Sequence, residues 1–549
     1  MTMPLTLAQL LEVRAELAPH HEAFVDGDTR LSFAEANARA ASFAAYLAAE
    51  GIGRGDRVLL LAKNSEFLAT ALYAVSRLGA ISVVGNWRLP PAELEYVARD
   101  SGSTGLLYDS AFAETAAAVT QAVPELRVRV VGIAGEGENG GRSHQVGHDD
   151  PHYRNALATG AALPAPAIVG EDGDDAIIMY TSGTTGRPKG AVLTNANMFW
   201  SGQGMLSTIS WETAHRFLLV APMFHIGGLA PLTCNVLRGT TTVFMRDFDP
   251  VQVWQTIAAE RITTMMTVPL MLGAMIQVAR ATEVDASSLV AVTCGGAMVS
   301  RELVEAFSAF AAPVQVVYGI TEFAGGLTFW TEAMGRENLD SQGKPVFGST
   351  VAVVDVETGE PLPRGEAGEL LVSGPQRFDR YWQNEEATEA ALTADGWYRT
   401  GDVAYLDERG FVHLVDRVKD IIISGGENIY PAELETVLAA HSAVADVVVV
   451  GEPDERWGEV PVAHVVLHAD AAAGEGGAGE GAAGEGGAGE GGAAESAAAA
   501  AAEALAAELA EHCAGQLARY KLPKRIEFIE IVPRNTLGKV LRRELRRAA

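Results

Sequence analysis

Short, wholly apolar segments alternate with longer helix-like segments along most of this chain of 549 residues. Residues 58–62 are predicted to form a buried strand, residues 65–78 a helix, and residues 81–84 the next strand. The same pattern predicts three further strands, at residues 217–221, 240–245 and 289–293. Strands that are apolar on both faces are typical of parallel sheets covered by helices on each side. The sequence therefore predicts an α/β fold whose ligands bind where the strands end.

The length and the charge of the chain limit its architecture and its partners. A chain of 549 residues exceeds what one hydrophobic core serves, so two or more domains are expected. The formal net charge of −29 repels polyanions, so no nucleic-acid partner is expected. No apolar run reaches membrane-spanning length, so no membrane partner is expected, and the glutamate-bearing amino terminus does not resemble a signal peptide. With only three, widely separated cysteines, the chain is expected to be cytoplasmic.

Two segments have the composition of insertions. Residues 135–152 are rich in glycine and aspartate and are predicted to form a surface loop. Residues 471–502 consist almost wholly of glycine, alanine and glutamate, and they lack the branched and aromatic side chains that a core needs. They are predicted to be a disordered acidic linker whose alanine-rich end leads into a helix at about residues 503–517.

The strongest local motif is Tyr-Thr-Ser-Gly-Thr-Thr-Gly-Arg-Pro-Lys-Gly at residues 180–190, directly after a predicted strand at residues 176–179. Its glycines, hydroxyl groups and cation are Gly183, Gly186, Ser182, Thr184, Thr185 and Lys189. Glycines let the backbone approach a ligand closely, and amide and hydroxyl groups can then surround phosphate oxygens. The lysine is neither preceded by glycine nor followed by serine or threonine, so this is not a Walker A loop. A triphosphate-binding loop is the prediction.

Two shorter motifs also follow strands or turns. In Tyr-Gly-Ile-Thr-Glu at residues 318–322, the ring of Tyr318 can stack on a purine, and Thr321 can bind phosphate. Glu322 can hold a magnesium ion. In Tyr-Arg-Thr-Gly-Asp at residues 398–402, the final carboxylate can accept hydrogen bonds from ribose hydroxyls.

Two motifs lie in the last quarter of the chain. Residues 416–431 begin with charged residues and continue into three isoleucines and a glycine pair, as a hinge before a new core would. Pro-Arg-Asn-Thr-Leu-Gly-Lys at residues 533–539 places Lys539 on a glycine-containing loop, and residues 540–547 are predicted to form a short basic helix.

In this order and spacing, the five motifs resemble the adenylate-forming superfamily of acyl-CoA synthetases, nonribosomal adenylation domains and luciferases, and among these the acyl- or aryl-CoA ligases. The resemblance covers nearly the whole chain apart from the two insertions. It implies a large N-terminal domain at residues 1–418, made of mostly parallel sheets with packed helices and a β-barrel-like subdomain. A small, mobile α+β domain would follow at residues 419–549. The implied reaction uses ATP and Mg²⁺ to convert a carboxylic acid to an acyl-adenylate, and then transfers the acyl group to coenzyme A.

The resemblance also implies roles for single residues. The ATP phosphates would be bound by Thr181, Ser182, Gly183, Thr184, Thr185, Gly186 and Lys189. The adenine and the α-phosphate would be bound by Gly295, Gly296, Ala297, Tyr318, Gly319 and Thr321. The ribose would be bound by Asp402 with Arg417, and the metal by Glu322. The residues expected to take part in catalysis are Lys539, Thr184, His225 and Glu322.

For the second half-reaction, the resemblance implies that Lys419 is the hinge about which the small domain turns. Coenzyme A would contact Gly425, Gly426, Trp457, Lys521 and Lys524. Leu522 stands where some aryl-CoA ligases carry a basic residue, which removes one predicted phosphate contact.

The acid is expected to lie among small or apolar residues, namely Phe199, His225, Gly227, Thr267, Thr293, Cys294 and Gly326. Such a pocket suits an aryl, cinnamoyl-like or medium acyl group. Two other branches of the superfamily stay open, in which the adenylate passes to a carrier protein, or nitrite is activated to diazotise an aryl amine. A nucleotide-regulated binding module is the non-enzymatic alternative, but it would require loss of the loop, Glu322 or Lys539, and all are present.

Overall fold

A computed structural model describes residues 5–132, 150–181, 187–209, 211, 215–424, 427–454, 456–468, 491–534 and 540–546. The strands, numbered in chain order, are β1 Glu22–Asp26, β2 Thr29–Ser32, β3 Arg57–Leu61, β4 Ile81–Val84, β5 Gly105–Asp109, β6 Val128–Gly132, β7 Asp175–Thr181, β8 Lys189–Thr194, β9 Arg216–Leu219, β10 Thr241–Phe244, β11 Thr264–Thr267, β12 Ala291–Gly295, β13 Val314–Ile320, β14 Gly325–Trp330, β15 Lys344–Pro345, β16 Thr350–Val354, β17 Gly368–Ser373, β18 Arg380–Tyr381, β19 Tyr398–Leu406, β20 Val412–Arg417, β21 Ile422–Ser424, β22 Glu427–Ile429, β23 Val444–Asp454, β24 Gly458–Leu467 and β25 Arg525–Phe528. The α-helices are α1 Leu7–Leu17, α2 Phe33–Ala49, α3 Glu66–Arg77, α4 Pro91–Ser101, α5 Ala113–Ala122, α6 Tyr153–Ala161, α7 Asn195–Thr208, α8 Ile226–Arg238, α9 Pro250–Glu260, α10 Pro269–Ala281, α11 Arg301–Ser308, α12 Glu385–Ala391, α13 Pro431–Ala439 and α14 Gly491–Ala514.

Two large sheets dominate the first of two compact units, which comprises Met1–Ala352, Leu371–Arg399 and Asp407–His413. The nine-stranded sheet has the order β15-β14-β13-β12-β11-β9-β10-β1-β2, and the seven-stranded sheet has the order β18-β8-β7-β4-β3-β5-β6. Their central strands pair in parallel, while β2, β14, β15, β8 and β18 pair antiparallel at the edges. The predicted α/β class is confirmed.

The predicted strand–helix–strand rhythm is confirmed to within one or two residues. Helix α3 starts after Ser65, whose hydroxyl accepts the Leu68 N–H and so caps the helix. The strand predicted at residues 289–293 is instead displaced by two residues to β12. Leu289 closes a turn onto the Ala286 carbonyl and still packs in the core, so its apolar character reflects burial rather than strand structure.

The second unit comprises Val353–Leu370, Thr400–Leu406 and Leu414–Ala549. Its carboxyl-terminal sheet has the order β22-β21-β24-β23, and β25 pairs in parallel with β24. Helices α13 and α14 cover one face of this sheet over a core that includes Leu434, Leu438, Leu509 and Cys513. The predicted domain boundary between residues 418 and 419 stays a prediction.

The predicted β-barrel-like subdomain corresponds to a four-stranded sheet with the order β16-β17-β19-β20. Strands β16 and β20 lie at its two ends, so this sheet is open rather than closed on itself. Closure of a barrel requires pairing between the first and last strands, and the described residues show none here.

Two further predictions need correction. Residues 491–502, predicted as linker, belong to α14, because alanine has the highest helix propensity of all residues. Residues 540–546 contain a bridge from Val540 to Arg534 and one 3₁₀ turn, Arg542–Glu544, in place of the predicted helix. The Arg542 guanidinium lies 2.6 Å from Glu435 of α13, and its Nε donates to the Val449 carbonyl of β23 at 3.3 Å. These contacts hold the segment against the helix and the sheet.

The predicted loop at residues 135–152 lies mostly outside the described residues. Its last residues are packed rather than free, since the Tyr108 hydroxyl donates to Asp150 at 2.9 Å. Among the helices of the described part, none is both long and apolar enough to cross a membrane.

Candidate active site

The predicted phosphate loop leaves one strand of the seven-stranded sheet and returns on the next. Strand β7 ends at Thr181, and the antiparallel strand β8 begins at Lys189, with these two residues paired in register. The loop therefore starts and ends at the same point of the sheet edge. Eight predicted site residues lie outside the described part of the chain, namely Ser182, Gly183, Thr184, Thr185, Gly186, Gly425, Gly426 and Lys539.

Glu322 lies beside both ends of this loop. It is buried, at 9% exposure, on the 3₁₀ turn Thr321–Phe323 that follows β13. Its Oε1 accepts a hydrogen bond of 2.8 Å from the Tyr381 hydroxyl, and the Thr181 hydroxyl lies 3.5 Å from the same oxygen. The Lys189 ammonium lies 5.4 Å from the centroid of the Tyr381 ring. The structure thus brings together three predicted residues, a carboxylate, a hydroxyl and a cation.

Tyr381 completes this cluster and was not predicted. Burial, and then the neighbouring Glu322, raise the pKa of the Tyr381 phenol, so it keeps its proton and donates. Its strand β18 pairs with β8, with Tyr381 opposite Ala191. The only sequence signal is an aromatic pair, Tyr381 and Trp382, just before Asn384, which caps α12.

The predicted adenine-binding residues lie at the ends of two neighbouring parallel strands, β12 and β13. A Cβ atom at Gly295 would lie 2.2 Å from the Val317 carbonyl oxygen, and one at Gly319 would lie 2.3 Å from that of Gly325. Gly296 has a φ of +80°, which favours glycine. Ala297 follows it and is exposed. Gly295 and Gly319 therefore have to lack a side chain for β12, β13 and β14 to approach as they do.

Half-buried Tyr318 projects from β13 opposite Thr328 of β14. Thr321 begins the turn that carries Glu322, and its carbonyl accepts the N–H of Ala324. Ala324 has a φ of +52°, a conformation unfavourable for a residue with a side chain. Its carbonyl accepts the Ser201 hydroxyl at 2.6 Å, so α7 helps to hold this strained turn next to the buried carboxylate.

His225 immediately precedes α8 at the N-cap position. Its Nε2 is buried and has no hydrogen-bond partner in the described part of the chain. Burial, assisted by the positive charge of Arg88, lowers the pKa of His225 to about 4. The ring is therefore neutral at neutral pH, and it offers a polar atom without a cation.

Three further predicted acyl-pocket residues lie on the neighbouring strands β11 and β12. The Thr267 hydroxyl donates to the Thr293 carbonyl at 3.1 Å, which links β11 to β12 at these two residues. The Cys294 side chain, by contrast, is fully buried in the hydrophobic core, and burial raises the pKa of its thiol to about 12. Cys294 can therefore border a ligand only through its backbone.

Two of the predicted acyl-pocket residues are glycines that pack closely against neighbouring side chains. A Cβ atom at Gly227 would lie 2.9 Å from Cε of Met266, and one at Gly326 would lie 2.7 Å from the Phe329 ring. Met266 is a further residue that no motif indicated. Phe199, on α7, packs its ring edge-on against Trp200 with centroids 5.5 Å apart.

In the second unit, Asp402 and Arg417 form an ion pair, with Arg417 Nε 2.6 Å from Asp402 Oδ1. The Asp402 N–H donates to the Thr400 hydroxyl at 3.0 Å, and its carboxylate is 5% exposed. The two predicted ribose-binding residues are therefore neighbours. Lys419 is exposed on the 3₁₀ turn Val418–Asp420.

The predicted coenzyme A residues are not equally placed within the second unit. The Trp457 N–H donates to Asp454 at 2.9 Å. The pKa of the Asp454 carboxylate is lowered mainly by its backbone hydrogen bonds and, to a smaller extent, by the charge of the exposed Lys524. Lys521, however, lies 2.7 Å and 2.8 Å from the two oxygens of Glu433. This pairing differs from the predicted phosphate contact of Lys521.

Comparison with known families places these features in context. The family model of the AMP-binding enzyme matches residues 11–382, and that of the AMP-binding enzyme C-terminal domain matches residues 433–478. The chain is similar to feruloyl-CoA synthase of an Amycolatopsis species, with 37% identity over 536 residues that cover 97% of each protein. It is also similar to the long-chain-fatty-acid–CoA ligase FadD13 of Mycobacterium tuberculosis, with 34% identity over 540 residues, 98% of this chain and 97% of the relative.

Among solved structures, the chain resembles o-succinylbenzoate CoA synthetase (MenE) of Bacillus subtilis in complex with its acyl-adenylate intermediate. The identity is 30% and the TM-score 0.79, with 100% of this chain and 99% of that chain covered. The same enzyme in complex with ATP and a magnesium ion gives a TM-score of 0.77 at 30% identity, with 98% of each chain covered.

Proposed function

The chain belongs to the AMP-binding enzyme family, and from that premise we propose that it is an ATP-dependent acid–thiol ligase that forms the coenzyme A thioester of an aryl or cinnamoyl-like acid. In the first half-reaction a carboxylate oxygen attacks the α-phosphorus of ATP and pyrophosphate leaves, which gives the acyl-adenylate. In the second, the coenzyme A thiol loses its proton and attacks the acyl carbon, and AMP leaves. The acid, ATP and coenzyme A are thus consumed together, and thioester, AMP and pyrophosphate are released.

The observation that carries the proposal is a cluster of four residues. The Thr181 and Tyr381 hydroxyls contact Oε1 of Glu322, and the Lys189 ammonium lies 5.4 Å from the centroid of the Tyr381 ring. The reaction brings an anionic acid to an anionic triphosphate, so it needs hydroxyl donors and cations held in place. Lys189 begins a strand, and Glu322 sits on a turn held from two sides, so these groups are fixed before the substrates bind.

The residues present also fit a magnesium ion. Glu322 supplies one buried carboxylate, and among the described residues no group of three or more acidic, histidine or cysteine side chains is placed to hold a metal by itself. Magnesium commonly takes one or two protein carboxylates together with substrate phosphates, so a single glutamate is a suitable protein ligand. When bound, the ion supplies positive charge to the phosphate oxygens. Glu322 would hold it, and Tyr381 would orient Glu322.

Family membership supports the remaining nucleotide contacts. Ser182, Gly183, Thr184, Thr185 and Gly186 are proposed to bind the phosphates and Lys539 to stabilise the developing charge on the α-phosphate. The adenine is proposed to lie against Gly295, Gly296, Ala297 and Gly319 with Tyr318 stacked on it. Thr321 is proposed to contact the α-phosphate. Asp402, oriented by Arg417 at 2.6 Å, is proposed to accept the ribose hydroxyls.

The proposed acid is aryl or cinnamoyl-like because of the residues at the predicted pocket. His225 is neutral, so its ring offers an uncharged polar group at the predicted pocket. A Cβ atom at Gly227 would lie 2.9 Å from Cε of Met266, so this glycine and this methionine pack directly against each other at the predicted pocket. The relative that shares 37% identity is a feruloyl-CoA synthase, and this agrees with the proposal.

Coenzyme A is the proposed acceptor because the relatives that align over the whole chain are CoA ligases. Trp457 and Lys524 are the proposed nucleotide contacts, Gly425 and Gly426 the proposed contacts of the thiol arm, and Lys419 the proposed hinge. A carrier protein or an amine as acceptor is the less favoured alternative. A reducing, cytoplasmic location is proposed because all three cysteines are buried and unpaired.

Pyrophosphate release from ATP with Mg²⁺ tests the proposal. Hydroxycinnamic, benzoic, medium-chain and long-chain acids are supplied separately, with and without coenzyme A, to the wild type and to Lys539→Ala. Lys63→Ala is the matched control, because Lys63 pairs with Asp247 at 2.6 Å and lies over the Trp87 ring, and no role in the nucleotide site is proposed for it.

Acid-dependent release that Lys539→Ala abolishes and Lys63→Ala retains is the expected result, with thioester formed once coenzyme A is present. Release of pyrophosphate without formation of the thioester would indicate that the acceptor is a carrier protein or an amine instead of coenzyme A. Absence of release with every acid and with nitrite would overturn the enzymatic proposal.

A further inference from the structure

Helix α4 lies outside every sequence motif, yet it contacts both described ends of the phosphate loop. We propose that Tyr96 and Asp100 of α4 are positioning residues that hold the two ends of this loop and thereby set the affinity for the triphosphate of ATP. The inference rests on the proposed function only for the identity of the ligand.

The first contact is at the start of the loop. The Tyr180 hydroxyl, one residue before the end of β7, donates to Asp100 Oδ2 at 2.6 Å. Burial, and then the hydrogen bond to Asp100, raise the pKa of Tyr180, so the phenol stays protonated and this donor persists at neutral pH. A short hydrogen bond from a neutral donor to a carboxylate is among the stronger kinds in proteins.

The second contact is at the end of the loop. The Tyr96 hydroxyl donates to the Pro188 carbonyl at 3.1 Å and also lies 3.3 Å from Asp100 Oδ1. The guanidinium of Arg187 lies 5.9 Å from the centroid of the Tyr96 ring. Tyr96 and Asp100 are four residues apart on one face of α4, so one helix face serves both ends of the loop.

Trp382 adds a third connection. Its indole N–H donates to the Asp100 carbonyl at 3.1 Å, and its backbone N–H donates to the Gly190 carbonyl at 2.7 Å. Gly190 itself has no room for a side chain, because a Cβ atom there would lie 2.8 Å from Ile178. The residue next to Trp382 is Tyr381, which contacts Glu322, so the same short segment links the loop anchor to the proposed metal ligand.

The anchor is rigid because α4 is fixed to the sheet by its opposite face. Leu94, Val97 and Ala98 are buried in the core that includes Leu59 and Leu61 of β3. A loop that binds three phosphate groups has to present several donors at once, and displacement of either end misplaces them all. Loss of one anchoring hydrogen bond should therefore weaken ATP binding more than it affects the acid.

Three variants test the anchor, each without touching a residue assigned to the nucleotide or the acid. Tyr96→Phe removes one hydroxyl, Asp100→Ala removes both acceptors, and Trp382→Phe removes only the indole donor. Asp100→Asn is the rescue variant, because it retains one oxygen that can accept from Tyr180. Tyr153→Phe is the matched control, since its buried hydroxyl donates instead to Glu66, at 2.8 Å.

The measurements are KM for ATP, KM for the acid and kcat in pyrophosphate release, together with ATP binding by calorimetry and the melting temperature. Tyr96→Phe and Asp100→Ala should raise KM and Kd for ATP about three- to tenfold, the effect expected of one or two hydrogen bonds. The KM for the acid should change less than twofold. Asp100→Asn should recover most of the affinity, and Tyr153→Phe should lower the melting temperature without changing KM for ATP.

An unchanged Kd for ATP in both Tyr96→Phe and Asp100→Ala would overturn the inference. An equal increase in Tyr153→Phe would also overturn it, because the effect would then be one of general stability. If Asp100→Ala fails to fold, Tyr96→Phe and Trp382→Phe decide the question. Calorimetry tests the inference separately from the proposed function, because it measures ATP binding without turnover. If the wild type binds ATP but shows no turnover, and Tyr96→Phe binds ATP more weakly, the ligase proposal is refuted and the anchor is supported.

Discussion

The Tyr381 hydroxyl donates a hydrogen bond of 2.8 Å to Oε1 of the buried Glu322. Burial raises the pKa of the Tyr381 phenol, so the hydroxyl keeps its proton and remains a donor. The Glu322 carboxylate is therefore oriented by a neutral donor. A positioned carboxylate is what a metal bound to a triphosphate requires, and a ligand held by a second residue usually binds its metal more tightly.

Tyr381→Phe should therefore lower kcat/KM about tenfold or more and raise the magnesium concentration needed for half-maximal activity. Activity is measured against total Mg²⁺ at saturating ATP and acid. Tyr108→Phe is the control, because it removes a hydroxyl that donates to Asp150 at 2.9 Å. An unchanged magnesium requirement in Tyr381→Phe would show that Glu322 does not depend on this contact.

Local sequence was sufficient for the features that depend on neighbouring residues. Strand β3, helix α3 and strand β4 follow from apolar runs that are local in sequence, and the structure adds the Ser65 cap at the start of α3. Glu322 and Asp402 were recognised from motifs of five residues, and their contacts with Thr181 and Arg417 follow in the structure.

The contacts that were missed join distant parts of the chain. Tyr381 reaches Glu322 only because β18 pairs with β8, and neither strand carries a signal for its partner. Lys521 pairs with Glu433, 88 residues away, so its charge could not be assigned from its own neighbourhood. Helix α4 is likewise an ordinary amphipathic helix in sequence, and its role depends on where the loop ends lie.

His225 should make the enzyme lose stability as the pH falls from about 6.5 towards 4. Its pKa is about 4 in the folded protein against 6.5 for the unpaired residue, so the unfolded state binds the proton first. Stability is therefore full above pH 6.5 and declines below it. Between pH 7 and pH 5 this group contributes a loss of about 2 kcal/mol.

His225→Gln retains a polar side chain but cannot titrate, so its free energy of unfolding should fall by about 2 kcal/mol less than that of the wild type between these two pH values. Urea unfolding at pH 7 and pH 5 measures the difference. Parallel pH dependence in the two proteins would mean that the ring is protonated in the folded state.

Gly319→Ala should impair both stability and activity. The new methyl group would lie 2.3 Å from the Gly325 carbonyl, so β13 and β14 would have to separate next to the turn that holds Glu322. A cost of about 2 kcal/mol or more is expected for backbone overpacking of this kind. Gly273→Ala, on α10 with nothing within 4 Å of the new atom, should be neutral or stabilising by up to about 1 kcal/mol. Thermal unfolding measures the melting temperatures of both variants. Equal melting temperatures of Gly319→Ala and Gly273→Ala would contradict the prediction.

Met266→Ala should widen the range of acids. Met266 lies against Gly227, and the smaller side chain would leave space at the predicted acyl pocket. The kcat/KM for a longer or ring-substituted acid should rise relative to an unsubstituted benzoic acid by about tenfold, the effect of one or two methylene groups in a hydrophobic pocket. Met334→Ala serves as the control, since Met334 packs against the core of the nine-stranded sheet. A specificity ratio that stays constant in Met266→Ala would remove Met266 from the pocket.

Lys524 and Lys521 should differ in their effect on coenzyme A, although both were predicted to contact it. Lys521 already lies 2.7 Å from Glu433. It would have to give up this ion pair before it could bind a phosphate, which costs free energy. Lys524, by contrast, is exposed beside the turn that carries Trp457. Lys524→Ala should raise KM for coenzyme A about three- to tenfold, with a smaller effect at high salt because exposed charges are screened. Lys521→Ala should raise it less than twofold, and Glu433→Gln should not lower activity. A larger increase in KM for coenzyme A in Lys521→Ala than in Lys524→Ala would contradict this prediction. Lys521 would then exchange Glu433 for a phosphate during the second half-reaction, and its ion pair with Glu433 would belong to the state before coenzyme A binds.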